Sequence, residues 1–145
     1  MCSSDLLVIS NGRFVISIKK KQIPSWIKKT VKLKNFSKND FLIKSKKKNV
    51  VANTIYMQSE IITKIGSSEL QSKDGNVSAS LNSDVWKVAA FDRIHGTNRH
   101  SIGFLENFGA NIGAFASTWS FHENDLIVIG TNDSDMAIAT NHLIK

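Results

Sequence analysis

The sequence predicts an α+β fold: a mixed sheet with an N-terminal β-hairpin and a C-terminal helix. Three observations predict it. Asn11-Gly12 sits between the apolar runs Leu7–Ser10 and Arg13–Ile18, and this dipeptide supplies the positive φ angles of a two-residue type I′ turn. Leu126–Ile129 is apolar at all four positions, as in a central strand buried on both faces. Gly130 ends that run. Met136, Ile138, Ala139, Leu143 and Ile144 then recur at roughly helical spacing, with Asp133 or Ser134 available as a cap and the helix starting near Ser134.

The elements follow in order. In the hairpin, Phe14, Ile16 and Ile18 alternate with Arg13, Val15 and Ser17. Lys19–Lys29 reads as a connector, with Pro24 favouring extended backbone at Ile23 and Trp26 placed to anchor it against a neighbour. Thr30–Leu33 reads as a short strand. Ser37-Lys38-Asn39-Asp40 caps a turn before Phe41-Leu42-Ile43, and Lys46–Asn49 is a charged turn. Val50–Met57 and Glu60–Ile65 read as strands. Gly66–Gly75 reads as a polar loop ending in an Asp74-Gly75 turn. Val85–Phe91 is a buried strand with Trp86 in a core or interface, and His100 falls in the turn after it. Ser101–Leu105 and a Phe108-Gly109 turn lead to the β-capable Ala114–Trp119. The polar run Phe121–Asp125 then separates two apolar strands, a common place for functional groups.

The 145 residues allow one domain, able to bury roughly 70% of its unfolded surface. No apolar run approaches the roughly 20 residues of a membrane-spanning helix, and no signal-peptide pattern is present. A single cysteine excludes an intrachain disulfide and is consistent with a reducing, cytoplasmic setting. The net charge of +7 is uneven: residues 1–50 carry a balance of +11 and residues 51–145 a balance of −4. Lys19-Lys20-Lys21, Lys28-Lys29 and Lys46-Lys47-Lys48 lie among β-patterned apolar residues, with little Arg and no aromatic series. That is a solvated lysine-rich surface rather than a nucleic-acid footprint.

A longer pattern is more specific. Phe108-Gly109, Ala116-Ser117-Thr118, Leu126–Gly130, Asn132-Asp133-Ser134-Asp135-Met136-Ala137 and Asn141-His142-Leu143 stand in unbroken order. This run resembles the C-terminal domain of bacterial adenine deaminases, members of the amidohydrolase superfamily. The family's usual His-Asp-Ser-His-Asn is replaced, position for position, by Phe121-His122-Glu123-Asn124-Asp125, and its Arg-His pair by Arg93-Ile94, with the histidine displaced to His95. The resemblance implies a chain cut from a larger amidohydrolase. Residues 1–6 read as an adaptor-derived scar, which makes Cys2 an artefact. Residues 7–45 read as the end of a β-sandwich and a linker, and residues 46–145 as an incomplete adenine deaminase C-terminal domain.

Deamination of adenine adds water at C6 and expels ammonia, which calls for an activated water and a group that shuttles the proton. The four histidines, His95, His100, His122 and His142, include no pair at helical ligand spacing. His122-Glu123 opens like a zinc-protease signature, but Leu126 stands where the second histidine is required. No metal site is therefore expected in this chain. The resemblance implies a divalent metal, manganese or iron, in an upstream barrel, and a fragment inactive alone. His122, Glu123 and Asn124 are the candidate catalytic residues of a pocket-closing loop. Asp125, Ser117, Thr118, Arg93 and His95 are the candidate substrate-binding residues, and Trp119 is placed to cap a reshaped pocket. The expected partner is a small-molecule purine, not nucleic acid or membrane, and homo-oligomerisation stays open. The competing readings are a paralogous amidohydrolase with another substrate and a non-catalytic accessory or oligomerisation domain.

Overall fold

The computed structural model describes residues 9–14, 22–97, 99–120 and 124–144. Strands β1 (Ile9–Ser10) and β2 (Arg13–Phe14) form the expected hairpin. Asn11 and Gly12 turn it at φ 51° and 72°, the two positive values that a type I′ turn requires. Met1–Leu6, with Cys2, and the outer part of the hairpin at residues 15–18 lie outside the described residues.

The remaining strands are β3 (Asn49–Met57), β4 (Thr63–Lys73), β5 (Asn76–Val77), β6 (Val85–Phe91), β7 (His100–Glu106), β8 (Ala114–Ser117) and β9 (Leu126–Gly130). They form one mixed sheet in the order β5-β4-β3-β7-β6-β9-β8. The β3–β7 pair is parallel and every other pair antiparallel. Helix α1 (Asp133–Leu143) follows β9 directly. The α+β expectation holds. So does the internal position of Leu126–Ile129, since β9 has β6 on one side and β8 on the other. Its two faces differ, however: Leu126 and Val128 are buried, whereas Ile127 and Ile129 are half-buried.

Several elements depart from the sequence reading. Gly66–Lys73 is not a loop, because β4 runs through it in register with the whole of β3. Leu70 is the buried side chain of that strand, so polar composition reflects its exposure rather than a lack of pairing. The 60–65 strand begins only at Thr63. Thr30–Leu33 is not a strand; it makes one ladder-like bond, from Lys32 N–H to the Arg93 carbonyl at 2.7 Å. His100 is the first residue of β7 rather than part of a turn. Trp26 lies on a single 3₁₀ turn, Ser25–Lys28, and is 71% exposed, so it does not anchor the connector.

The core cluster beneath α1 and residues 33–43 lies on one face of the sheet, while Trp86 and Leu105 are buried on the other. Phe41, Ala89, Phe91, Leu126, Val128, Met136 and Ala137 are buried in that cluster. The turn before Phe41 is capped as expected: the Asp40 carboxylate accepts from Ser37 N–H at 2.7 Å, and the Ser37 hydroxyl accepts from Asn39 N–H at 3.3 Å. Phe36, Phe41 and Phe91 pack with ring centroids 4.5–6.0 Å apart, within the favoured range for tilted and edge-to-face pairs.

Lys87 enters the same face from β6 and is 1% exposed. Its ammonium donates to Asp133 at 2.6 Å and to the Phe41 carbonyl at 3.0 Å. Asp133 is therefore an ion-pair partner, and the helix is capped instead by Asn132, whose side chain accepts from Asp135 N–H at 2.8 Å. The buried stripe of α1 is Met136, Ala137 and Thr140, and Ile138 faces outward at 58% exposure. Met136 packs where a side chain at Gly130 would stand, with the Ala114 methyl close beside it.

Two outcomes check this packing by urea denaturation. Asp133→Asn strands the Lys87 charge and is expected to cost about 3–5 kcal/mol. Gly130→Ala forces Met136 aside and is expected to cost about 1–3 kcal/mol.

Candidate functional site

Four strand ends meet at one end of the sheet. β6 leaves at Phe91, β7 starts at His100, β9 starts at Leu126 opposite Phe91, and β8 ends at Ser117 opposite Ile127. The loop from β6 to β7 is wound around Asp92. One Asp92 carboxylate oxygen accepts from Ile94 N–H at 3.2 Å and His95 N–H at 3.1 Å, and lies 2.9 Å from His95 Nδ1. The other accepts from the Thr97 hydroxyl at 2.7 Å. An aspartate that binds amides two and three residues ahead forms an Asx turn. Gly96 completes it at φ 68°, and Asp92 N–H donates to the Arg99 carbonyl at 3.0 Å.

The bonds to the anion set its electrostatics. The His95 backbone N–H, then the Thr97 hydroxyl, hold the Asp92 carboxyl well below the usual carboxylate range. With Asp92 ionised, His95 carries a proton on Nδ1, which leaves Nε2 as the outward-facing nitrogen. The His95 side chain is 73% exposed.

Arg93 holds this loop to its neighbours. Its Nε donates to the Asn124 carbonyl at 2.6 Å, and a terminal guanidinium nitrogen donates to the Thr30 hydroxyl at 2.8 Å. Asn124 has φ 56°, a left-handed conformation that asparagine tolerates. Beside this junction opens a cleft of about 660 Å³, bordered by Asp92, His95, Arg99, His100, Ser101 and Asp125. The His100 ring stacks on Phe91, with centroids 5.4 Å apart and planes at 27°.

The structure thus brings together Arg93, His95, Asn124 and Asp125 from the predicted set. Arg93 serves the architecture, since two of its donors are committed to protein oxygens. Ser117 and Thr118 lie across β9, and neither borders the cleft. The Ser117 hydroxyl accepts from Trp119 N–H at 3.0 Å, and Trp119 is 86% exposed. His122 and Glu123 lie outside the described residues. Asp92 is the organising group that sequence reasoning passed over. Its signal was an Asp followed by His at the third position, Gly at the fourth and Thr at the fifth, an Asx-turn pattern.

The donor set does not fit a divalent metal. Among the described residues no three His, Cys, Asp or Glu side chains converge, and Asp92 and His95 already bond to each other. Nor is any helix among them long and apolar enough to cross a membrane.

The profile described as the adenine deaminase C-terminal domain matches residues 60–145. The chain belongs to the adenine deaminase C-terminal domain family. An adenine deaminase from Cenarchaeum symbiosum (strain A) is 52% identical over 134 residues, 92% of this chain and 22% of that protein. One from Kosmotoga olearia is 32% identical over 138 residues, 95% of this chain and 24% of that protein. One from Clostridium botulinum (strain Langeland) is 36% identical over 142 residues, again 24% of its length. The chain therefore spans about a quarter of the length of these curated relatives.

Several residues that carry the resemblance have structural roles. Asn132 caps α1, Asp133 pairs with Lys87, and Met136 fills the space above Gly130. Asn141 exchanges two bonds of 2.8 Å with the backbone of Phe36, tying the helix to the segment entering the core.

Because the folded pKa of Asp92 is depressed, its contribution to stability is complete above the unfolded value of about 3.9 and is lost as pH falls through that value toward the folded one. Between about pH 4 and about pH 2, the wild-type chain is expected to lose more stability than Asp92→Asn, read by urea denaturation at each pH. In the same variant, nitrogen NMR at neutral pH should show His95 losing its preference for the Nδ1–H tautomer.

Proposed function

We propose that this chain serves as the C-terminal domain of a metal-dependent adenine deaminase, which hydrolyses adenine to hypoxanthine and ammonia. The observation that carries the reading is the oriented Asp92–His95 pair, set beside Asp125 at an open cleft, in a chain of this family. Within the proposal, the divalent metal, manganese or iron, is held by a part of the enzyme outside the described residues, and the protein acts in the cytoplasm. The boundaries 1–6, 7–45 and 46–145 belong to the same reading.

The residues of this chain then have defined tasks. Water adds at C6 of the purine, the C6–N bond breaks, and the departing amine gains a proton. His95, with Nδ1–H held by Asp92, presents Nε2 to accept a proton or a purine N–H. The Asn124 amide both donates and accepts, as a purine edge requires. His122 and Glu123, on the same loop, are proton carriers in this proposal. Asp125 borders the cleft beside them.

A second reading has its own support. Arg93 is tied to protein oxygens, and Asp133, Met136 and Asn141 of α1 make pairing or packing contacts. A domain kept for its architecture, contributing subunit packing or a lid, needs nothing more.

The test places this chain in the Cenarchaeum symbiosum relative, in exchange for the 134 residues it matches. His95→Ala, His122→Ala and Asn124→Ala should each raise the barrel-supported reaction barrier by about 2–4 kcal/mol, read as a loss of kcat on adenine. Full kcat/KM in all three, with fold and metal content intact, selects the accessory-domain reading. The chain alone should release no ammonia from adenine under any metal supplementation. Ammonia release would overturn the placement of the metal.

A further inference from the structure

The face of the sheet turned away from α1 is built differently from the core face. On β7, β6, β9 and β8 it presents Gly103, Val88, Ile129 and Phe115 in one row, and Ser101, Ala90, Ile127 and Ser117 in the next. None of these side chains is charged. Val88, Ile127 and Ile129 are only half-buried, and Phe115 is 48% exposed. A side chain built at Gly103 would meet nothing within 4 Å, so the middle of the face is open. At one end the Phe108 ring covers Trp86, at 5.3 Å between centroids. At the other, Ala90 and Ser101 of this face also border the Asp92–His95 cleft.

A contiguous apolar patch without charge marks a surface that another surface covers. Its size narrows the occupant. The same face continues over β3 and β4 through the exposed Ile55 and Ile65. Six strands spaced roughly 4.8 Å apart, with two or three same-face residues each, give a patch on the order of 500 Å². A free-standing complex buries roughly 800 Å² per partner, which a second copy docking on this face would not reach. Domains of one polypeptide associate through smaller areas, because the linker keeps the effective concentration high. About three-quarters of each relative's length lies outside the region this chain matches.

We infer that the uncharged face of β7, β6, β9 and β8 is the docking surface for the remainder of the longer deaminase polypeptide, and that this docked domain supplies the missing wall of the Asp92–His95 cleft. The occupant is an apolar, uncharged surface carried on the same chain. The inference rests on the reading of this protein as the C-terminal domain of a longer deaminase.

Gly103→Cys places a thiol in the open centre of the face without displacing a neighbour, and Ser101→Cys places one at the cleft rim. Both are made in a Cys2→Ser background, in this chain alone and in the Cenarchaeum symbiosum exchange protein. Maleimide labelling is followed by mass spectrometry on the peptide containing the new cysteine. The chain alone should label at the rate of a free thiol at every protein concentration, and the exchange protein at least tenfold more slowly at both positions. Equal rates in the two proteins overturn the inference. Protection of the chain alone that grows with concentration also overturns it, by identifying a second copy as the occupant. Ammonia release from adenine by the unlabelled exchange protein is measured in parallel. Protection without ammonia release upholds the docking surface while the deaminase reading fails.

Discussion

The interaction on which the structure depends is the ion pair between Lys87 and Asp133. An ammonium at 1% exposure is stable only if it is paired and its hydrogens are bound. Asp133 and the Phe41 carbonyl meet that need. The second Asp133 oxygen accepts from the Asn76 amide at 3.1 Å, and the Asn76 oxygen accepts from Ile43 N–H at 3.0 Å. One charge on β6 therefore positions the start of α1, the short strand β5 and the segment at 41–43. It also decides the helix cap. With Asp133 turned inward, Asn132 takes over the capping of Asp135 N–H, and two carboxylates remain in the first turn, where the helix dipole favours them.

The residues that carry the resemblance to adenine deaminases include several that hold this arrangement. Asn132, Asp133, Met136 and Asn141 each contact another element of the fold. The cleft uses different residues on different loops: Asp92 and His95 after β6, Asp125 before β9. Arg93 joins the two sets, since it fixes the backbone of Asn124 to the loop that carries His95.

Much of the scaffold was legible in the chain. The hairpin was visible in Asn11-Gly12, because few other residues accept two successive positive φ angles. β9 was visible as an unbroken apolar run, and β6 as an apolar run interrupted only by Lys87. The cleft was half legible: polar residues between apolar strands marked its loops, but the pairing of Phe91 with Leu126 that brings those loops together is a long-range contact. β4 was illegible past Ile65 because seven of its eight remaining residues through Lys73 are not buried. A strand held by backbone pairing with β3 needs no apolar pattern of its own.

The sequence by itself determined the turns, the two most apolar strands and the existence of the terminal helix, because each follows from local backbone preference or from the length of an apolar run. Tertiary structure decided the rest. Which of Asn132 and Asp133 caps the helix depends on a lysine 46 residues away from Asp133. Whether Thr30–Leu33 becomes a strand depends on a partner that offers it one bond from Arg93 instead of a ladder. Which sheet face is core depends on where α1 lands, because Leu126–Ile129 is equally apolar on both faces until Met136 and Ala137 cover one of them.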